Sequence, residues 1–76
     1  MEEQVYKLLQ SKAKSEREEA LTTLKLLTKY PAGIGDHSTS DFYSNAEEAL
    51  IKLVDADDKL NILEKYKTEL FSTKNE

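Results

Sequence analysis

Apolar side chains recur along this chain at steps of three and four, in two blocks parted by a short stretch that holds the proline and both glycines. In the first block Val5, Leu8, Leu9 and Ala13 lead into the polar run "KSEREE", residues 14–19, after which Ala20, Leu21, Leu24 and Leu27 resume the step. That spacing keeps apolar groups on one side of a 3.6-residue helix. The polar run allows two arrangements. Either one helix over about residues 2–29 has a solvated middle, or Ser15 opens a second helix through a capping box with Glu18, hydroxyl and carboxylate each satisfying a backbone donor. Neither Gly nor Pro interrupts the run, and Lys, Ala, Glu and Arg form helix well. The continuous helix is therefore favoured, with a bend near Lys14 as the alternative.

Pro31 sets the end of the first block, because it disfavours helical dihedrals at Tyr30 and has no N–H to donate. Lys25 and Lys29 sit well against the negative end of the helix dipole. The second block opens at "STSD", residues 38–41, whose hydroxyls offer caps and whose Asp41 falls in the favourable first turn. Phe42, Ala46, Ala49, Leu50, Leu53, Ala56, Leu60, Leu63, Leu70 and Phe71 then keep one face apolar. The spacing predicts a helix over about residues 39–72, about 45 Å long at 1.5 Å per residue, with a frayed end over 73–76.

Two such helices joined by a turn at about residues 30–38 make an antiparallel αα-hairpin, an all-α fold in one domain covering 1–76. Leu26, Ile51, Val54 and Ile62 fall off the main seam, so the apolar face is wider than one neighbouring helix can hide. Self-association into a helix bundle is the economical solution, a homodimer first. Leu24, Leu27, Phe42, Leu50, Leu53, Leu60, Leu63 and Leu70 are the expected interface residues.

Composition narrows the function classes. A chain of 76 residues buries only about 60% of the surface its unfolded form exposes, so a partner or self-association is expected. With no cysteine, neither a disulfide framework nor a thiolate site is available. The start "MEEQVYKLLQ" has no apolar h-region and no apolar run reaches membrane-span length, so a cytoplasmic protein without membrane contact is expected. Net charge is −4, with 15 acidic and 11 basic side chains interleaved, which argues against general nucleic-acid binding.

The stretch "YPAGIGDHSTSDFY", residues 30–43, gathers the chain's punctuation and its single histidine. A corner explains it: Gly33 and Gly35 permit the turn, Ile34 plugs the bundle end, and Asp36 and the following hydroxyls cap the next helix. The same atoms also suit an anionic ligand of nucleotide type. Tyr30, Gly33, Gly35, Asp36, His37, Ser38, Thr39, Ser40 and Tyr43 would then supply backbone donors, a helix N-terminus and a ring on which a base could stack. The stretch lacks the spacing and lysine of a P-loop, and no strand precedes it. Asp36, His37 and Ser38, adjacent in sequence, do not make a triad, so no catalytic residues, cofactor or enzyme activity are expected. Asp55, Asp57 and Asp58 in "VDADDKL" lack the glycine and glutamate of a calcium loop, so no metal is expected, and Asp57 is placed to meet a base such as Arg17.

The segment "YPAGIGDHSTSDFYSNAEEALIKLVDADDKLNILEKY" resembles the small helical-hairpin accessory proteins of large tailed bacteriophages, in which a proline turn leads into a GIGDH or GIGEH motif and a second helix with an acidic-apolar pattern. Here the motif is Gly33, Ile34, Gly35, Asp36 and His37, and the resemblance covers about half the chain, leaving residues 1–28 aside. It implies an accessory role in the host cytoplasm, as an inhibitor of a host or defence protein or a sponge for nucleotide signals. Three functions therefore stand as expectations: a protein-interaction module that inhibits its target, an oligomeric binder of an anionic ligand at the turn, and a purely structural oligomeric unit.

Overall fold

The computed structural model describes residues 2–29 and 39–71, and among these the side chains of all but Glu2, Thr39 and Ser40. Helix α1 runs Glu2–Lys29 without interruption, so the run at 14–19 stays helical and Ser15 caps nothing. Helix α2 runs Thr39–Lys65, and a short α3 follows at Lys67–Phe71. The architecture is an all-α hairpin, a rod with extents of 56 × 15 × 14 Å. Among the described residues no helix is long and apolar enough to cross a membrane.

The seam between α1 and α2 is a strict repeat of seven. Tyr6, Ala13, Ala20 and Leu27 are buried on α1, and Ala49, Ala56 and Leu63 on α2, with Phe42 half-buried one step earlier. Four of these are alanines, and Ala13 and Ala56 are the most enclosed, at 1% and 0% exposed. Small side chains on both sides let the backbones approach closely, while larger groups at Tyr6, Leu27 and Leu63 close the ends. The helices are antiparallel: Tyr6 clusters with Leu63 and Phe71, and Ala20 and Ala49 border one groove. Residue levels therefore pair 6 with 63 and 20 with 49.

Two details differ from the spacing read along the chain. At the open end the inward residue of α1 is Tyr6, while Val5, Leu8 and Leu9 are exposed; steps of three and four do not distinguish the buried row from its neighbours, whereas the seven-residue row through Ala13 does. The second helix, expected to run unbroken to about 72, is interrupted at Tyr66, although Tyr66 N–H donates to the Ile62 carbonyl at 2.9 Å and Leu70 N–H to the Tyr66 carbonyl at 2.8 Å. The repeat would bring Leu70 inward, yet Leu70 is 58% exposed and Phe71 is buried. That eight-residue step from Leu63 contains the break. It lets the Phe71 ring meet Tyr6 edge to face, centroids 5.4 Å apart, a contact Leu70 could not make.

Candidate functional site

Alanine in the seam leaves the larger apolar groups outside it. Val5, Leu8, Leu9, Leu26, Tyr43, Leu50, Ile51, Val54, Ile62 and Leu70 are all exposed, and Leu21, Leu24, Leu53 and Leu60 are only half-buried. A two-helix layer has two broad faces: Leu24, Tyr43 and Leu50 border one, and Leu9, Leu26 and Ile62 the other.

On one face Leu24 of α1 and Tyr43, Ala46, Glu47 and Leu50 of α2 line an open, mostly apolar groove towards the turn end. Further along the same face Glu3, Lys7 and Gln10 of α1, Glu64 of α2 and Lys67 of α3 line a polar groove over Tyr6 and Phe71. Lys67 Nζ lies 4.8 Å from the centroid of the Tyr6 ring, covering it with a cation. On the opposite face Leu9, Ala13, Ile62 and Leu63 form an apolar hollow bordered by Lys12, Glu16, Asp58 and Lys59. Lys59 Nζ donates to Glu16 Oε1 at 3.1 Å across the helices, a bridge between partly exposed side chains worth under about 1 kcal/mol.

Of the expected interface residues, Leu27 and Leu63 are buried within the hairpin, Phe42, Leu24, Leu53 and Leu60 are half-buried, and Leu50 and Leu70 are exposed. Asp57 is exposed and does not meet Arg17, whose Nε instead lies 3.8 Å from Glu18 Oε2 on the same helix; the inter-helix bridge belongs to Lys59 and Glu16. Arg17 projects towards the first face, half-buried. Among the ligand candidates at the turn, Tyr30, Gly33, Gly35, Asp36, His37 and Ser38 lie outside the described residues, as do the side chains of Thr39 and Ser40. Tyr43 is 63% exposed, its ring edge to face with that of Phe42 at 5.4 Å. Among the described residues no group of three His, Asp or Glu side chains could hold a metal ion.

No family model, curated protein or solved structure matches this chain. What the chain offers is extended apolar surface on a narrow rod, edged by charge.

Proposed function

We propose that this chain is a non-enzymatic interaction module that works by laying its helix faces against another protein. The observation that carries this reading is the share of small residues along the seam: four alanines are buried there with only Leu27 and Leu63 of the aliphatic leucines, isoleucines and valines, while Leu9, Leu26, Leu50, Ile51, Val54 and Ile62 are left on the surface. In a chain folded for its own stability alone, the larger groups would occupy the seam, where each buried aliphatic side chain is worth about 1.5–3 kcal/mol. Leaving them outside gains that energy only on association. The resemblance of the turn motif to phage accessory proteins supports a target among host or defence proteins in the host cytoplasm. The alternative, capture of an anionic nucleotide-type ligand at the turn, has Tyr43 as its one described side chain, so the faces carry more of the argument.

Native mass spectrometry of protein purified gently from its expressing cells tests this, paired with Leu50→Asp and Ile62→Asp variants. The expected result is a polypeptide assembly that one or both substitutions dissolve while helicity by circular dichroism is kept. A bare monomer whose behaviour neither substitution changes would overturn the reading. Retained mass matching a nucleotide, lost on His37→Ala, would put the anionic-ligand reading in its place.

A further inference from the structure

The two faces differ in how their charge is arranged. On the face with the Leu24 and Leu50 groove, the positions that follow the buried seam are Lys7, Lys14, Leu21 and Thr28 on α1 and Tyr43, Leu50, Asp57 and Glu64 on α2. Lys7 and Glu64 border the groove at the open end, and Tyr43 and Leu50 the groove at the turn end, which fixes the side. The turn half of this face is apolar but for Glu47, which lines its groove beside Leu24, Tyr43, Ala46 and Leu50. In the open half the positions that follow the seam are basic on α1, at Lys7 and Lys14, and acidic on α2, at Asp57 and Glu64, while Glu3 and Lys67 line the groove between them. Among the described residues Lys7, Lys14, Asp57 and Glu64 are exposed and make no ion pair.

We infer that a second copy of this chain covers this face, related to the first by a two-fold axis along the hairpin, so that both turns lie at the same end of a four-helix bundle. This rests on the interaction-module reading and names its occupant. Rotation about a lengthwise axis keeps every residue at its own level and sets α1 of one copy against α2 of the other. Since levels within the hairpin pair 6 with 63 and 20 with 49, Lys7 meets Glu64, Lys14 meets Asp57, Leu21 meets Leu50 and Thr28 meets Tyr43 of the second copy. The offset in each pair is about 3 Å, two residues of helical rise. Opposite charge faces opposite charge, leucine faces leucine, and symmetry makes each pair twice.

The end-for-end arrangement fails at the same positions. Full overlap in that sense sets Lys14 against Leu21 and Asp57 against Leu50, burying apolar groups under charge. Nearer the axis the layers are Leu24 with Ala46, Arg17 with Leu53 and Gln10 with Leu60, all half-buried. The Gln10 layer and the Arg17 layer, in which two like charges share a level, hold register and oligomer number at a cost in stability. A face of 56 by 15 Å offers about 800 Å² per copy, the area that a standard-sized protein interface buries on each side.

Sedimentation and native mass spectrometry of three samples decide it: Lys14→Glu alone, Asp57→Lys alone, and the two mixed one to one. Each variant alone sets like charges together at two sites, and its self-association weakens about tenfold or more. In the mixture Glu at position 14 of one copy faces Lys at position 57 of the other at one site, and the native Lys14 and Asp57 face each other at the second, so a heterodimer forms with near wild-type affinity. A mixture no tighter than its parts overturns the arrangement, and so does a wild-type monomer at micromolar concentration. Should a reversal variant lose helicity, Leu50→Asp reports on the same interface: loss of the dimer is expected, and an unchanged dimer overturns the proposal. A wild-type monomer that binds a different polypeptide through Leu50 would sink the second copy and leave the interaction module standing; Leu50→Asp and Ile62→Asp without effect on any association sink both.

Discussion

At the scale of single residues, the positions that govern folding are the small ones. Ala56 is wholly enclosed in the seam between α1 and α2, so a larger side chain has nowhere to go without parting the helices. Ala56→Leu is expected to destabilise the hairpin by about 1–3 kcal/mol in chemical denaturation, although leucine forms helix almost as well as alanine and is more apolar. Ile51, with 59% exposure, is the contrasting site: Ile51→Ser should stay within about 0.5 kcal/mol. Equal effects at the two positions would mean that the helices do not meet at Ala56. Tyr6 acts through its ring, held between the edge of Phe71 and the Lys67 ammonium. Tyr6→Phe keeps that geometry and should cost little, whereas Tyr6→Ala removes a buried aromatic and should cost about 3 kcal/mol, a large part of the stability of so small a chain.

At the scale of elements, α1 is kept helical through its polar middle by helix propensity and by tertiary packing together. Ala13 and Ala20 bracket that middle and are both buried, so the segment between them follows the seam even though nothing in it is strongly apolar. Glu16 adds the bridge to Lys59 from the same segment. A double-mutant cycle on Glu16→Ala and Lys59→Ala should return a coupling below about 1 kcal/mol, because both side chains remain partly in water; a coupling several times larger would mean the pair is far more enclosed than it is. The short α3 depends on one anchor. With only Phe71 buried among its five residues, it is too short to persist alone. Tyr6→Ala should therefore lower amide-exchange protection over residues 67–71 well before it lowers that of α2, whose seam residues Ala49 and Ala56 lie elsewhere. Uniform loss of protection along both helices would contradict a local anchor.

At the scale of the whole molecule, a narrow two-helix rod has a high ratio of surface to core, and its stability is tied to what covers its faces. If the covering protein is a second copy, mass action follows: a tenfold rise in protein concentration should raise the midpoint of thermal unfolding by roughly 3–5 °C. A midpoint independent of concentration would show that the hairpin unfolds as an isolated unit. Salt adds a second readout. The charged half of the face loses attraction as ionic strength rises while the apolar half does not, so Kd for self-association should rise by a few-fold between low and high salt and then level off.

The helical periodicity, Pro31 and the hydroxyl-rich run before Phe42 were enough to predict two long helices in an all-α hairpin, because these are local properties of spacing and backbone stereochemistry, but not the break at Tyr66 that ends α2 at Lys65. The excess of apolar surface was legible too: Leu26, Ile51, Val54 and Ile62 were expected off the seam, and all four are exposed. The turn candidates from Tyr30 to Ser38 lie outside the described residues, so for them the sequence remains the whole argument. What only the tertiary structure decided is which row of apolar residues goes inward. Steps of three and four admit several adjacent rows, and hydrophobicity favours the leucines; close approach of two backbones favours the row built on alanine. A seven-residue step shared by Ala13 and Ala20 on one helix and Ala49 and Ala56 on the other was present in the sequence as its sign. That choice turned Tyr6 and Phe71 inward, turned Leu50 and Ile62 outward, and made the faces of the rod its candidate site.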